Sequence, residues 1–135
     1  MSIRDCVQEV AAQLSGEGLR VVYEVPRGTP VLPAALVYVQ GGRWDSISYK
    51  TTVGLHNIVI DLHVVRADLA RAFEEVMSHA DSVPAKLYQA LWDKQFTHIV
   101  TFERIDYSLL QMRWGDVETI GYRWTLVNVK TIDRL

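Results

Sequence analysis

The chain holds a single cysteine, Cys6. No disulfide can therefore form within it, which fits a reducing cytoplasm. Metal-binding patterns are missing too. The four histidines, His56, His63, His79 and His98, show no HExxH or comparable spacing, and there is no cysteine pair to complete a zinc site. GxSxG, P-loop and GxGxxG segments are absent, so no cofactor is expected. No apolar run approaches the ~20 residues of a membrane helix. The opening residues 1–5 do not read as a signal peptide. Charge of one sign is scarce: the net charge is −2 and the pI about 6.0. That argues against a general nucleic-acid binder, which needs a basic patch to neutralise phosphates. Neither an internal repeat nor a low-complexity tract is found.

What is there suits one packed domain, residues 1–135. Hydrophobic residues make up 49% of the chain and charged ones 22%, enough for a core in a domain of this length. The stretch 57–91 organises the rest. In 57–65, Ile58, Ile60, Leu62 and Val64 alternate with Asp61 and His63, which predicts a strand with one packed and one wet face. The period then changes. Leu69, Ala70, Phe73, Val76, Met77 and Ala80 recur at helical spacing, with Asp68 placed to cap. Phe73 and Leu62 are expected to be buried where this helix meets the sheet.

Around that centre more elements follow. Residues 2–14 read as a helix with a stripe of Ile3, Val7, Val10, Ala11 and Leu14, opened by Ser2 and Asp5 and ended by Gly16 and Gly18. Cys6 lies beside the stripe and reads as a buried, inert thiol. Residues 19–25 alternate as a strand until Pro26, and 27–33 make an irregular connection. Residues 36–40 are nearly all apolar and predict a central strand. Residues 41–55 read as a long, partly exposed arm, with Gly54 as its bulge or bend. Pro84 suits the first turn of a second helix to about Asp93. Residues 97–102 predict a short strand. Residues 108–114 and 118–131 predict a hairpin about Gly115 and Asp116, with Tyr122, Trp124 and Leu126 on one face and Arg123, Thr125, Val127 and Val129 on the other. The expected fold is α+β: a mostly antiparallel sheet of about five strands, with an N-terminal helix and a central helix packed on it.

Candidate chemistry is sparse. Asp61 beside His63 reads as a solvated or interface pair, and a hydrolase using both ranks lowest. Aromatics at turns stand out instead. Trp44 follows two glycines and lies between Arg43 and Asp45, with Tyr49 further along. Trp114 follows Arg113 and precedes Gly115 and Asp116. Large aromatics beside arginine have the composition of protein-interface anchors, although either tryptophan could equally fold back over the sheet. The candidate interface residues are Arg43, Trp44, Asp45, Tyr49, Arg113, Trp114 and Asp116.

Several phrases carry a family resemblance: Ala35-Leu36-Val37-Tyr38-Val39-Gln40-Gly41-Gly42, the strand 57–64, the helix from Leu69 with Asp81-Ser82-Val83-Pro84-Ala85, and Gly121-Tyr122-Arg123-Trp124-Thr125-Leu126. In layout and strand phrases, over nearly its whole length, the chain resembles tail terminator proteins of long-tailed, non-contractile bacteriophages. The connection 92–107 departs from the pattern, being longer and more polar. The resemblance implies a non-enzymatic ring, usually of six subunits, that caps the tail tube and offers the surface to which the filled head docks. It implies as partners the chain itself, as a hexamer or as a monomer in isolation that assembles only on the tail tube, with the tail-tube protein and a head–tail connector, and DNA only passing through the channel. It implies a place in the virion tail after assembly in the host cytoplasm. A mildly acidic chain suits a lumen through which DNA slides. A small ligand-binding or regulatory α+β module remains the alternative.

Overall fold

The computed structural model describes residues 3–15, 22–24, 32–66 and 69–134. Expectations at Ser2, Gly16 and Gly18, for 19–21 and 25–31, and at Asp68 lie outside these. The elements run α1 (Ile3–Leu14), β1 (Val22–Tyr23), β2 (Ala34–Ser48), β3 (Thr51–Val65), α2 (Leu69–Met77), α3 (Ser82–Trp92), β4 (Arg104–Trp114) and β5 (Val117–Arg134). They form one sheet of order β1-β2-β3-β5-β4. β1 runs parallel to β2, and every other pairing is antiparallel. The α+β fold with a mostly antiparallel five-stranded sheet is as expected. No helix is long and apolar enough to cross a membrane.

The core follows from period 2 meeting period 3.6. Ile58, Ile60, Leu62 and Val64 present one face of β3, and each is almost fully enclosed. Val10, Leu14, Val76, Val83 and Leu87 from the helices close on it, with Trp124 and Leu126 from β5. α2 buries Ala72 and Val76, while Leu69 and Met77 are exposed and Phe73 is only partly buried. The apolar stripe is therefore rotated from the contact line. Two small residues face the sheet, which lets the helix approach closely, and the large ones flank it. Leu62 is core as expected; Phe73 is at its margin.

Cys6 is buried on α1. Burial first, then the negative charges of Glu9, Asp5 and Asp133, push its thiol up to about 12. Its thiolate, the reactive form, is thus rare at neutral pH. A thiol reagent at pH 8 is expected to label the native protein far more slowly than the denatured chain. Equal rates in an absorbance assay would contradict the burial.

Four expectations need correcting. The apolar segment 36–40 belongs to β2, which lies second from the sheet edge, and the central strand is β3. β2 is apolar because Val37 packs into the core while Leu36 and Tyr38 floor the opposite face. Residues 97–102 form no strand. Their backbone makes an isolated bridge, Thr101 to Lys130, and Glu9 of α1 accepts the N–H groups of Thr97 (2.6 Å) and His98 (2.9 Å). The polar connection after α3 is thus tied to α1 by one carboxylate. Gly54 carries no bulge. Apart from an irregularity by the turn, between Ser46 and Ser48, the register shifts fall instead between Val39 and Gly41 in the β2–β3 pairing and between His56 and Ile58 in the β3–β5 pairing. Val129, finally, faces the core.

The last two corrections share a cause. Val127 and Asn128 are taken up in one extra residue of β5, and Asn128 has φ 55°. Its N–H is satisfied by the Asn57 side-chain oxygen at 3.2 Å. An extra residue reverses the facing of everything beyond it, so Val129 and Thr131 turn to the helix side. Both shifts bracket Asn57. The sheet therefore divides there into a body under the helices and an arm of 41–48, 51–57 and 129–134.

Candidate functional site

The arm is the expected 41–55 segment, but it is built of three strands. Every residue of 40–50 is exposed, and the turn reverses at Tyr49 and Lys50, the latter at φ 61°. Trp44 is 45% exposed. Its ring meets His56 edge-on, centroids 4.6 Å apart. It stands opposite Gly54 in register. A Cβ on Gly54 would collide with His56, with Thr131 Oγ1 at 2.6 Å and with Trp44 Cζ3 at 2.7 Å. Glycine is thus required there, because His56, Thr131 and the Trp44 indole all crowd the position. Tyr49 is 88% exposed at the tip, and Arg43 and Asp45 pair along the strand at 3.1 Å.

Arg113, Trp114 and Asp116 sit at the far end of β3, where β4 turns into β5 through Gly115 at φ 60°. They are not brought near Trp44. Arg113 and Asp116 are exposed, with Arg113 reaching Glu118 at 3.4 Å. Trp114 is buried, so of its two readings the structure has it folded back over the sheet. Its ring packs edge-on against Tyr23 at 5.3 Å and His63 at 4.9 Å. Alternation explains this. Trp114 shares the face of Met112, not that of Arg113, and is drawn over the open side of the sheet.

That open side carries a groove of about 660 Å³ lined by Leu36, Tyr38, Asp61, His63, Trp114 and Arg123 among others. Asp61 and His63 are buried there, not wet. Asp61 stands directly opposite Arg123 and accepts two bonds from its guanidinium, 2.7 and 3.0 Å. Tyr38 donates a third at 3.0 Å. The hydrogen bond to Asp61 raises Arg123 further, and burial followed by the Asp61 charge pushes the Tyr38 hydroxyl up. Both groups thus remain donors. His63 Nδ1 is hydrogen-bonded to Thr119 Oγ1 at 2.7 Å. The expected Asp61–His63 pair is therefore split between other partners. Among the described residues, no group of His, Cys, Asp or Glu is placed to hold a metal.

Sequence reading missed Arg123, Tyr38 and His56. The signal for Arg123 was present, because a charge alternates with core residues in 122–126. Its partner depends on register, which the sequence does not print. A second unassigned feature is the outer edge of β4. There Arg104 and Asp106 pair at 3.0 Å, with Tyr107 67% and Leu109 41% exposed.

Three histidines, His56 and His63 buried and His79 half-buried, predict a pH effect. Burial lowers His56, His63 and His79. Below about pH 6.5 the unfolded chain binds protons that the folded chain refuses, so stability falls with pH there. The slope is at most ~1.4 kcal/mol per pH unit per histidine. Denaturant melts at pH 7.5, 6.5 and 5.5 check this. A flat profile would mean that the histidines protonate freely in the fold.

No family model matches the sequence, and no curated protein is significantly similar to it.

Proposed function

We propose that this chain is a non-enzymatic, ring-forming structural subunit, a tail terminator of a long-tailed phage. The ring, of six copies by the family resemblance, caps the tail tube and offers the head its docking surface. Its partners are further copies of itself, the tail-tube protein and a head–tail connector. DNA passes through the channel, and the protein resides in the virion tail after assembly in the host cytoplasm. The observation that carries this reading is the arm. On a three-stranded extension, Trp44 lies over Gly54, half-exposed and outside the hydrophobic core cluster. The opposite border of the sheet, β4, also offers exposed aromatic and apolar side chains. Two unlike surfaces on opposite borders suit head-to-tail contacts, which close into rings when the rotation allows.

Trp44→Ala tests it. The fold is expected to hold within ~1 kcal/mol, the scale of one edge-on aromatic contact. Each interface should lose ~2 kcal/mol as its anchor is truncated, seen as fewer rings by native mass spectrometry and, in a phage, as abnormal tails or unjoined heads. A variant that unfolds would make the arm part of the core. A variant that folds and assembles normally would move the anchor to Tyr49 or Tyr107.

The groove beside Asp61 and Arg123 favours a second reading, a ligand-binding module. Such a protein would be monomeric or dimeric and would gain thermal stability with its ligand.

A further inference from the structure

Two strand borders end the sheet. Beyond Leu36, β2 has β3 as its only strand neighbour among the described residues, and β4 has only β5. The outer backbone groups of 41–45 and 104–108 are thus available, and neither run contains proline. We propose that these two edges pair between copies: β2 of one subunit lies antiparallel to β4 of the next, with Trp44 opposite Ile105. The inference rests on the reading of the chain as a self-assembling ring subunit, and it names the surface and register of that contact.

Direction comes first. Three successive antiparallel pairings, β2 with β3, β3 with β5 and β5 with β4, leave β2 and β4 running opposite ways. A second copy set beside the first, helices on the same side, therefore presents its β2 antiparallel to β4. Facing agrees as well. Trp44 is opposite Gly54 and Ile105 is opposite Leu126, both on the helix side. Arg43, Asp45, Arg104 and Asp106 then all lie on the open side.

Charge fixes the register. Each edge carries Arg-x-Asp: Arg43 with Asp45 and Arg104 with Asp106. Antiparallel pairing centred on Trp44 and Ile105 sets Arg43 against Asp106 and Asp45 against Arg104. A shift of two residues sets Arg against Arg or Asp against Asp, and a shift of one puts the charges on the wrong face. Parallel pairing in step also opposes like charges. Charged edges ordinarily deter strand addition; here one register alone sets both arginines against both aspartates. Glu103, which touches Arg104 at 3.3 Å, falls opposite Ser46 and introduces no like-charge contact. The present partners of these groups are exposed, so trading them for cross-strand partners costs little.

The same Arg-x-Asp pattern would let either edge pair with its own copy. Order reversal separates the cases. One variant carries Arg43→Asp with Asp45→Arg; a second carries Arg104→Asp with Asp106→Arg; a third carries all four. Circular dichroism checks that each folds. Association is read by sedimentation velocity over a concentration series, and particle shape by electron microscopy. The two-site variants are each expected to associate about tenfold or more weakly, as two attractive pairs become repulsive. The four-site variant should return to near the wild-type constant. A homotypic edge would be indifferent to reversal, since the exchanged pair still meets its complement. Undiminished association in either two-site variant therefore overturns the proposal. So does failure of the four-site variant to recover, or a wild type that stays monomeric at its highest soluble concentration. Closed rings indifferent to reversal would sink this interface and leave the ring reading standing. Open filaments with four-site rescue would keep the interface and sink ring closure.

Discussion

Replacing Trp124 with alanine is expected to remove about 3–5 kcal/mol of stability, the usual cost of deleting a large buried aromatic. Trp124 is the largest of the fully enclosed side chains. It lies on β5 between Ile60 of β3 and Tyr107 of β4, and Tyr122 packs beside it at 5.6 Å. The helices close over this point, so alanine leaves a cavity that rigid strands cannot fill. Domains of this kind hold only about 5–15 kcal/mol in total, so the variant should melt at far lower urea. The indole N–H is buried with no hydrogen-bond partner. Trp124→Phe removes that unsatisfied donor while keeping most of the ring, and should cost well under half as much. A urea midpoint for Trp124→Ala near that of wild type would mean that β5 does not centre the core.

Trp124 was also among the most legible residues. Its alternation with Arg123 and Thr125 is undisturbed, so the facing read from sequence holds from Tyr122 to Leu126. Three residues later the same rule fails at Val129, because the bulge at Asn128 inserts an unpaired position. Nothing in the local sequence marks that bulge, and its N–H is satisfied by Asn57, 71 residues away. The arm was legible for a similar reason of contrast. Its glycines and mixed polarity set 41–48 apart from the apolar strand before it. Its third strand was not, since 129–134 is joined to it only through pairing with β3.

The candidate site divides the same way. Trp44 was found because it is a bulky residue in a glycine-bearing segment. That it rests on Gly54 and His56 depends on a cross-strand register. The sequence leaves Trp114 open between an interface anchor and a residue folded back over the sheet, and alternation, which aims it and Arg113 at opposite faces, accounts for the second. Asp61 and His63 were assigned to the wet side by the correct alternation but the wrong exposure. The open face is partly closed by Trp114, Tyr38 and Arg123, so charge within it must find partners.

That requirement leads to the second large effect. Arg123→Ala is expected to cost about 3 kcal/mol, the lower end for breaking a buried pair, because the guanidinium is itself partly in water. Asp61 is the group that suffers. Its side chain is 7% exposed and would keep only the Tyr38 bond of its three. The groove sets the size of the effect, since water admitted there can reach the abandoned carboxylate and soften the loss. Removing both charges separates pairing from packing. Arg123→Met combined with Asp61→Leu leaves no buried charge and keeps side-chain volume. Its cost should fall to about 1 kcal/mol or less, with Tyr38, half-buried, turning its hydroxyl to solvent. Arg123→Met alone, Asp61→Leu alone and the double form a cycle whose coupling measures the ion pair itself. If Arg123→Ala melts within ~1 kcal/mol of wild type, the pair is a surface contact and the groove is wet throughout. If the double variant is as unstable as the single one, the loss comes from packing of the arginine stem over the sheet, not from its charge.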